Sequence, residues 1–244
     1  MKIAICLSGQ PRFFKSSYVL LKKYILDLYD CDLFIDTWKF NEIKESVKGL
    51  YRYKDEGSLQ ELYDIYKPKV FKVEDFEERM EKKSLEFESK VLSKEFQRQY
   101  WPSHIPTDNH FISRYYSMLY KIYNSNKIKN EYAKTHAINY DITIRARMDL
   151  AYEKSPQIVN DGILYTDSCG NGRRGPGDTF AFSNQHNMDI YANLFLKLDE
   201  YLEDNKVPIN TEFLLQYHIE SNNIRWQNIN LAQDAIRPYN IVLT

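Results

Sequence analysis

The stretch that decides the fold is Ile3-Ala-Ile-Cys-Leu-Ser-Gly-Gln-Pro-Arg12, in which an apolar run is followed by turn residues. Its first five residues predict a buried strand, and the residues after them predict the turn that ends it. Residues 13–29 then place apolar side chains at close to helical spacing, and Asp32-Leu-Phe-Ile-Asp-Thr37 predicts a second buried strand. A third strand is expected over 70–73. This β-α-β-α-β order predicts a parallel sheet with covering helices.

The rest of the chain continues the alternation and contains no linker long enough to divide it. We expect a fourth strand over 141–149, short strands over 163–165 and 179–182, and an amphipathic helix over 188–202. The predicted fold class is therefore α/β, with one domain over 1–244 that contains a mainly parallel, twisted sheet and helices on both faces.

Composition excludes several classes of protein. The 244 residues include 33 Lys and Arg against 34 Asp and Glu, a net charge of −1, whereas a dedicated nucleic-acid binder needs a basic surface. The three cysteines, Cys6, Cys31 and Cys169, are too widely spaced for a disulfide framework or a zinc knuckle. The sequence has no apolar run long enough to predict a transmembrane segment. We expect a cytoplasmic protein whose membrane role, if it has one, is peripheral.

The most informative segment for function is Tyr140-Asp-Ile-Thr-Ile-Arg-Ala-Arg-Met-Asp-Leu150. Side chains of a strand alternate between faces, so Arg145, Arg147 and Asp149 are expected on one face. Unpaired buried charge is costly, which leaves two interpretations. Either these side chains pair with carboxylates in a structural role, or they line a ligand cleft at the carboxyl end of the sheet. We favour the cleft, because guanidinium groups suit phosphate oxygens.

A second candidate is the turn that follows the first strand. Gly9 permits close approach of the backbone, the next helix has an N-terminus that favours an anion, and Arg12 adds positive charge. An ordinary βα turn with a surface arginine is the alternative. The residues match neither a Walker A loop nor the GxGxxG pattern.

A third candidate is the glycine-rich stretch Ser168-Cys-Gly-Asn-Gly-Arg-Arg-Gly-Pro-Gly-Asp178, which contains four of the chain's eight glycines. Arg173 and Arg174 would make it a lid that attracts anions, and a surface loop without a function is the alternative. Asp178, next to an apolar strand, is a candidate catalytic carboxylate. Asp36 also lies at the ligand-binding edge, at the end of the second strand, where it could instead cap or pack.

Five motifs together resemble a group of glycosyltransferases from bacterial surface-polysaccharide clusters and large DNA viruses, of which the WavE-type lipopolysaccharide-synthesis proteins are the nearest. The motifs are Ile5-Cys-Leu-Ser-Gly-Gln-Pro-Arg12, Asp32-Leu-Phe-Ile-Asp-Thr-Trp38, the 140–150 segment, Gly177-Asp-Thr-Phe-Ala-Phe182 with Met188-Asp-Ile-Tyr191, and Thr211-Glu-Phe-Leu-Leu-Gln-Tyr-His218. Their order and spacing extend the resemblance over nearly the whole chain.

The resemblance implies a GT-A-like fold that transfers a sugar from a nucleotide-sugar donor to a hydroxyl of a glycan or lipid-linked acceptor. Residues 1–150 would form mainly the donor-binding half and 151–244 mainly the acceptor-side half. The 145–149 segment occupies the place of the family's Asp-x-Asp metal motif, but Arg147 replaces the first acid and only Asp149 remains. Two interpretations stay open: Asp149 holds Mn²⁺ or Mg²⁺, or arginines do part of the metal's work.

The resemblance also implies roles for individual residues. The donor would be bound by Ser8, Gly9, Arg12, Asp36, Arg145 and Arg147, Asp149 would hold the metal or the ribose, Asp178 would be the general base of an inverting transfer, and Arg173, Arg174 and Glu212 would belong to the acceptor side or lid. Asp149 and Asp178 are thus the predicted catalytic residues.

Two other functions remain as alternatives. The first is a sulfo- or phosphotransferase that holds a nucleotide phosphate at the turn from Ser8 to Arg12. The second is a sugar-binding relative without catalysis, which the incomplete acid pair favours. Binding of an adenosine bisphosphate would indicate the first, and binding without turnover would indicate the second.

Overall fold

The computed structural model of the protein describes residues 1–39, 57–100, 111–168, 175–229 and 231–235. The strands are β1 (Lys2–Gly9), β2 (Asp30–Trp38), β3 (Val70–Glu74), β4 (Ile142–Arg147), β5 (Leu150–Tyr152), β6 (Leu164–Ser168), β7 (Pro176–Ser183), β8 (Trp226–Ile229) and β9 (Ala232–Ala235). The α-helices are α1 (Phe14–Leu21), α2 (Leu59–Tyr66), α3 (Lys82–Ser93), α4 (Glu95–Tyr100), α5 (Phe111–Thr135), α6 (Gln185–Asn193), α7 (Leu198–Asp204) and α8 (Thr211–Ser221). A π-helical turn, Lys22–Leu26, extends α1.

Seven strands form one sheet in the order β3-β2-β1-β4-β7-β6-β8. Every pair in it is parallel except the two that involve β7, which is antiparallel to both β4 and β6. The remaining strands, β5 and β9, pair with each other. The predicted fold class, α/β with a mainly parallel sheet, is confirmed, and the third strand lies where it was predicted.

The two faces of the sheet are buried by different helices. On one face Ile3, Ile5 and Leu7 join Ile142 and Ile144 in a core that also contains side chains of α1 and α2. On the other face α5 packs against β1 and β2, α6 packs against β4, and α8 packs against β7. The predicted placement of helices on both faces is thus confirmed. Within the described ranges, no helix combines the length and the apolar character that crossing a membrane requires.

The fourth strand is shorter than predicted, and the difference affects the site. The strand ends at Arg147, and Met148 and Asp149 form a turn before β5. The prediction that the strand continues to Asp149 was therefore wrong, although Met148 still packs with Ile144 and Ala146 and Asp149 still lies with the arginines. The turn instead folds the Asp149 carboxylate back onto the Arg147 guanidinium, two residues earlier.

A buried histidine on α8 gives the fold a testable pH dependence. The His218 ring nitrogens lie 2.6 Å from the Tyr201 hydroxyl and 2.8 Å from the Ile190 carbonyl oxygen, and burial lowers the pKa of His218. A neutral ring is favoured in the folded state, so its contribution to stability is present above the unfolded pKa of about 6.5 and is lost as the pH falls through the lowered folded pKa. We expect His218→Gln to flatten the fall in free energy of unfolding between neutral and mildly acidic pH.

Urea unfolding monitored by circular dichroism across this pH range measures how steeply the free energy of unfolding changes with pH. The matched control is His186→Gln, because His186 is exposed, and it should keep the parental slope. A His218→Gln slope equal to that of the parent would contradict the assignment of a neutral buried ring.

Candidate active site

Charged side chains meet at the carboxyl edge of the parallel strands. Ser8 near the end of β1 pairs in register with Arg147 at the end of β4, and Asp178 follows the first residues of the antiparallel β7 at the same edge. Open α/β sheets bind their ligands at this edge. The sequence motifs therefore converge on one location although they are far apart in the chain.

The Asp149 carboxylate lies between two guanidinium groups. Arg147 donates from Nε to Oδ1 at 2.8 Å and from Nη2 to Oδ2 at 2.7 Å, a bidentate ion pair. Arg12 brings its Nη2 to 3.1 Å from Oδ2 of the same carboxylate. Burial alone would raise the pKa of Asp149, but Arg147 and then Arg12 outweigh it and hold the pKa below its usual range. Asp149 is therefore a carboxylate that positions two arginines.

Arg145 lies deeper in the cluster and is only 2% exposed. Its Nη1 donates to the Thr179 carbonyl oxygen at 2.8 Å, and no described residue accepts a hydrogen bond from its buried Nε or Nη2. Burial lowers the pKa of Arg145, while the negative charges of Asp178 and Asp149 oppose that effect. This guanidinium thus has positive charge and donors in excess of its protein partners.

Asp178 and Glu212 approach the arginines from β7 and α8. Burial raises the pKa of Asp178, Arg147 and Arg145 lower it in part, and Glu212 adds a further rise. Gly175, just before β7, lies beside Glu212 in the first turn of α8, and β7 and α8 are in contact. A half-buried carboxyl with a raised pKa beside positive charge has the character of a proton acceptor.

The β1 turn forms the adjoining part of the edge. Gly9 has φ +110°, a conformation that other residues rarely adopt, and its carbonyl oxygen accepts a hydrogen bond from the Thr37 hydroxyl at 2.9 Å. No described residue pairs with the buried Ser8 Oγ. Ser8 on β1 is in register with Asp36 on β2 and with Arg147 on β4, so the three side chains form one polar row.

Asp36 belongs to a buried ion-pair network that the sequence motifs did not reveal. Its Oδ1 is 2.7 Å from Lys121 Nζ on α5, both side chains are fully buried, and Lys121 also lies 2.8 Å from a Glu74 carboxylate oxygen. The Lys121 ammonium is 3.8 Å from the centre of the Trp38 ring. Burial raises the pKa of Asp36 to about 6 despite Lys121. The only sequence signal was a lysine within an otherwise buried stretch of α5.

The structure brings most of the predicted site residues together, but not all of them. The structure brings together Arg12, Arg145, Arg147, Asp149, Asp178 and Glu212, with Ser8 and Gly9 beside them. Asp36 is in the same polar row, but its full burial against Lys121 means that contact with a nucleoside would require movement. The predicted lid residues, Arg173 and Arg174, lie outside the described residues. The individual roles of all these residues stay predictions.

The arrangement does not suit a divalent cation. Mg²⁺ and Mn²⁺ prefer carboxylate and other oxygen ligands, yet both oxygens of Asp149 already accept hydrogen bonds or ion pairs from guanidinium groups. The described residues include no cluster of three or more His, Cys, Asp or Glu side chains placed to bind a metal ion. These residues therefore fit a divalent cation poorly.

No protein family matches the sequence, and no curated protein does either. Among solved structures, the fold is similar to one described as a glycosyltransferase involved in the glycosylation of the major capsid of PBCV-1. The two share 9% identity with a TM-score of 0.41, over 94% of this chain and 83% of the other.

Proposed function

We propose that the protein is a glycosyltransferase that moves a sugar from a nucleotide-sugar donor to a hydroxyl of a glycan or lipid-linked acceptor. The observation that supports this most is the cluster of Arg12, Arg145 and Arg147 at the carboxyl edge of the sheet, with Asp178 beside it. Guanidinium groups suit the donor's diphosphate, and the transfer itself needs a base for the acceptor hydroxyl.

In this proposal each charged group has a distinct task. The acceptor oxygen attacks the anomeric carbon and loses its proton to Asp178, while the bond from the anomeric carbon to the diphosphate oxygen breaks. The leaving nucleoside diphosphate keeps that electron pair, and the arginines stabilise its charge. Asp149 keeps Arg147 and Arg12 in place by its ion pairs. The transfer inverts configuration, since one displacement occurs.

The larger division of the chain follows from the same proposal. Residues 1–150 would bind mainly the donor and 151–244 mainly the acceptor, with Glu212, Arg173 and Arg174 on the acceptor side or in a lid. We also propose that the protein works in the cytoplasm, where nucleotide sugars are supplied.

A thermal-shift screen of nucleoside diphosphates and nucleotide sugars tests the function first. A ligand that binds only the folded state raises the melting temperature by mass action, by about 2.7 kcal/mol of added stability at a hundred times its Kd. We expect one uridine or guanosine diphosphate, and the matching nucleotide sugars, to raise the melting temperature selectively. Incubating the selected nucleotide sugar with the protein then measures transfer or slow donor hydrolysis.

The alternative functions give different results in the same screen. The Arg145 edge, to which no described residue offers an acceptor, would also suit other phosphate-containing donors. A sulfo- or phosphotransferase would therefore respond to an adenosine bisphosphate and to no uridine or guanosine diphosphate. A sugar-binding relative without catalysis would bind a nucleotide sugar without turnover. Either result would replace the present proposal.

A further inference from the structure

We infer that the site binds the donor's diphosphate through arginines alone, without a divalent cation between protein and phosphate. This inference rests on the proposed function and concerns the chemistry of the same site. The structural basis is a contrast between two arginines. The Nε and Nη2 groups of Arg147 bind a carboxylate, whereas the same two groups of Arg145 have no acceptor among the described residues.

Asp149 is the carboxylate that a metal at this site would need. Asp149 is 4% exposed and has one arginine contact on Oδ1 and two on Oδ2. A cation at this carboxylate would have to displace Arg147 or Arg12 and would then lie next to their positive charges. Repulsion between like charges at this range opposes its binding. The ion pairs therefore exclude a metal by geometry and by charge.

The guanidinium of Arg145 can take the place of the metal at the phosphate. Nε and Nη2 form one edge of a guanidinium, and Arg147 uses this edge to hold both oxygens of Asp149. Arg145 presents the same edge with neither group bonded to a described residue. Two parallel N–H groups match two oxygens of a phosphate, and the resulting charge-assisted bonds are stronger than neutral ones.

Burial of Arg145 affects the stability of the protein without ligand. A buried guanidinium whose donors lack acceptors lowers the stability of the free protein, because its charge has been removed from water. Among the described residues, Arg145 is held in place by the Thr179 carbonyl oxygen and by the more distant charges of Asp178 and Asp149. A bound phosphate would supply the missing acceptor. Arg12 and Arg147, whose side chains are 36% and 25% exposed, are the more accessible arginines of the cluster.

The test is isothermal titration calorimetry with UDP and GDP, each in EDTA and in excess Mn²⁺, on the parent and on Arg145→Met. We expect the parent to bind one of these nucleotides in EDTA with little change when Mn²⁺ is added. The Arg145→Met variant should bind it about tenfold more weakly or worse, since one bidentate ionic contact is lost. Its melting temperature without ligand should stay the same or rise, whereas a structural role for Arg145 predicts a fall.

Two further variants make the result decisive. Arg12→Met removes a side chain that is 36% exposed, so it should fold even if Arg145→Met does not, and it should also weaken binding in EDTA. Arg225→Met removes an exposed arginine next to the opposite edge of the sheet and should leave the affinity unchanged.

Each remaining outcome overturns a defined part of the proposal. Binding that requires Mn²⁺ overturns the inference but leaves the glycosyltransferase proposal in place. Binding in EDTA that neither Arg145→Met nor Arg12→Met weakens also overturns the inference alone. If neither nucleotide binds in EDTA or in Mn²⁺, both the inference and the proposed function fail.

Discussion

Replacing Asp178 with asparagine is expected to lower the transfer rate by about 10²–10⁴-fold, the usual contribution of a general base. The amide keeps the size of the side chain but cannot accept the proton of the acceptor hydroxyl. Nucleotide binding should hardly change, because Arg12, Arg145 and Arg147 remain. The melting temperature should hold or rise, since a half-buried carboxyl that burial disfavours has become neutral.

The pH profile separates a base from a residue that only shapes the site. A base must be unprotonated, so the parental rate should fall as the pH drops through the raised pKa of Asp178, and the residual rate of Asp178→Asn should lack this acidic limb. Product formation from the nucleotide sugar selected by the thermal screen provides the measurement. Asp199→Asn, at an exposed ion pair, is the matched control and should retain the full rate. An undiminished rate in Asp178→Asn would refute the assignment of the base.

Much of the fold could be predicted from sequence because the first two strands contain apolar runs, over residues 3–7 and 33–35. Central strands of a parallel sheet are buried on both faces and therefore tend to be apolar throughout, as these two runs are. The short strands at the other side of the sheet were harder to predict. In β8 the side chains are half-buried or exposed, so it lacks an apolar signal, and its position depends on pairing with the distant β6.

The candidate site was predictable where strand alternation controls it. Period-two alternation placed Arg145 and Arg147 on the same face, and the register with β1 then brings Ser8 to Arg147. The alternation could not predict the turn at Asp149, because the point at which a strand ends depends on tertiary contacts. The ion pair between Arg12 and Asp149 joins two separate βα units and has no local signal at all.

The network around Asp36 was missed for a related reason. An aspartate at the end of a strand and a lysine within a helix are each ordinary in sequence, and only the packing of α5 against β2 makes them partners. The same packing places the lysine over Trp38 and beside Glu74. The full burial of the Asp36 and Lys121 charges is thus a consequence of tertiary structure. We expect the largest loss of stability when this ion pair is broken.

The variant Lys121→Met should reduce the free energy of unfolding by about 3–5 kcal/mol at neutral pH, the usual cost of removing one partner of a buried ion pair. Methionine fills most of the space under Trp38, so the loss arises mainly from the uncompensated carboxylate. Glu74 keeps Lys72 at 3.5 Å and Arg79 at 3.4 Å, whereas Asp36 is left fully buried without an ion-pair partner among the described residues. Urea unfolding of the parent and the variant gives the difference directly.

A second substitution and a change of pH identify Asp36 as the source of that loss. Adding Asp36→Asn to Lys121→Met should restore part of the stability, because the unpaired charge is gone. Burial already raises the pKa of Asp36 to about 6 with Lys121 present, and removing the lysine raises it further. A carboxyl with a raised folded pKa stabilises the fold at low pH and loses that contribution as the pH rises, so the variant's deficit should shrink at mildly acidic pH.

Lys127→Met, on the exposed side of α5, is the matched control and should change stability little. An equal loss in Lys121→Met at every pH, without rescue by Asp36→Asn, would show that packing rather than charge stabilises this network.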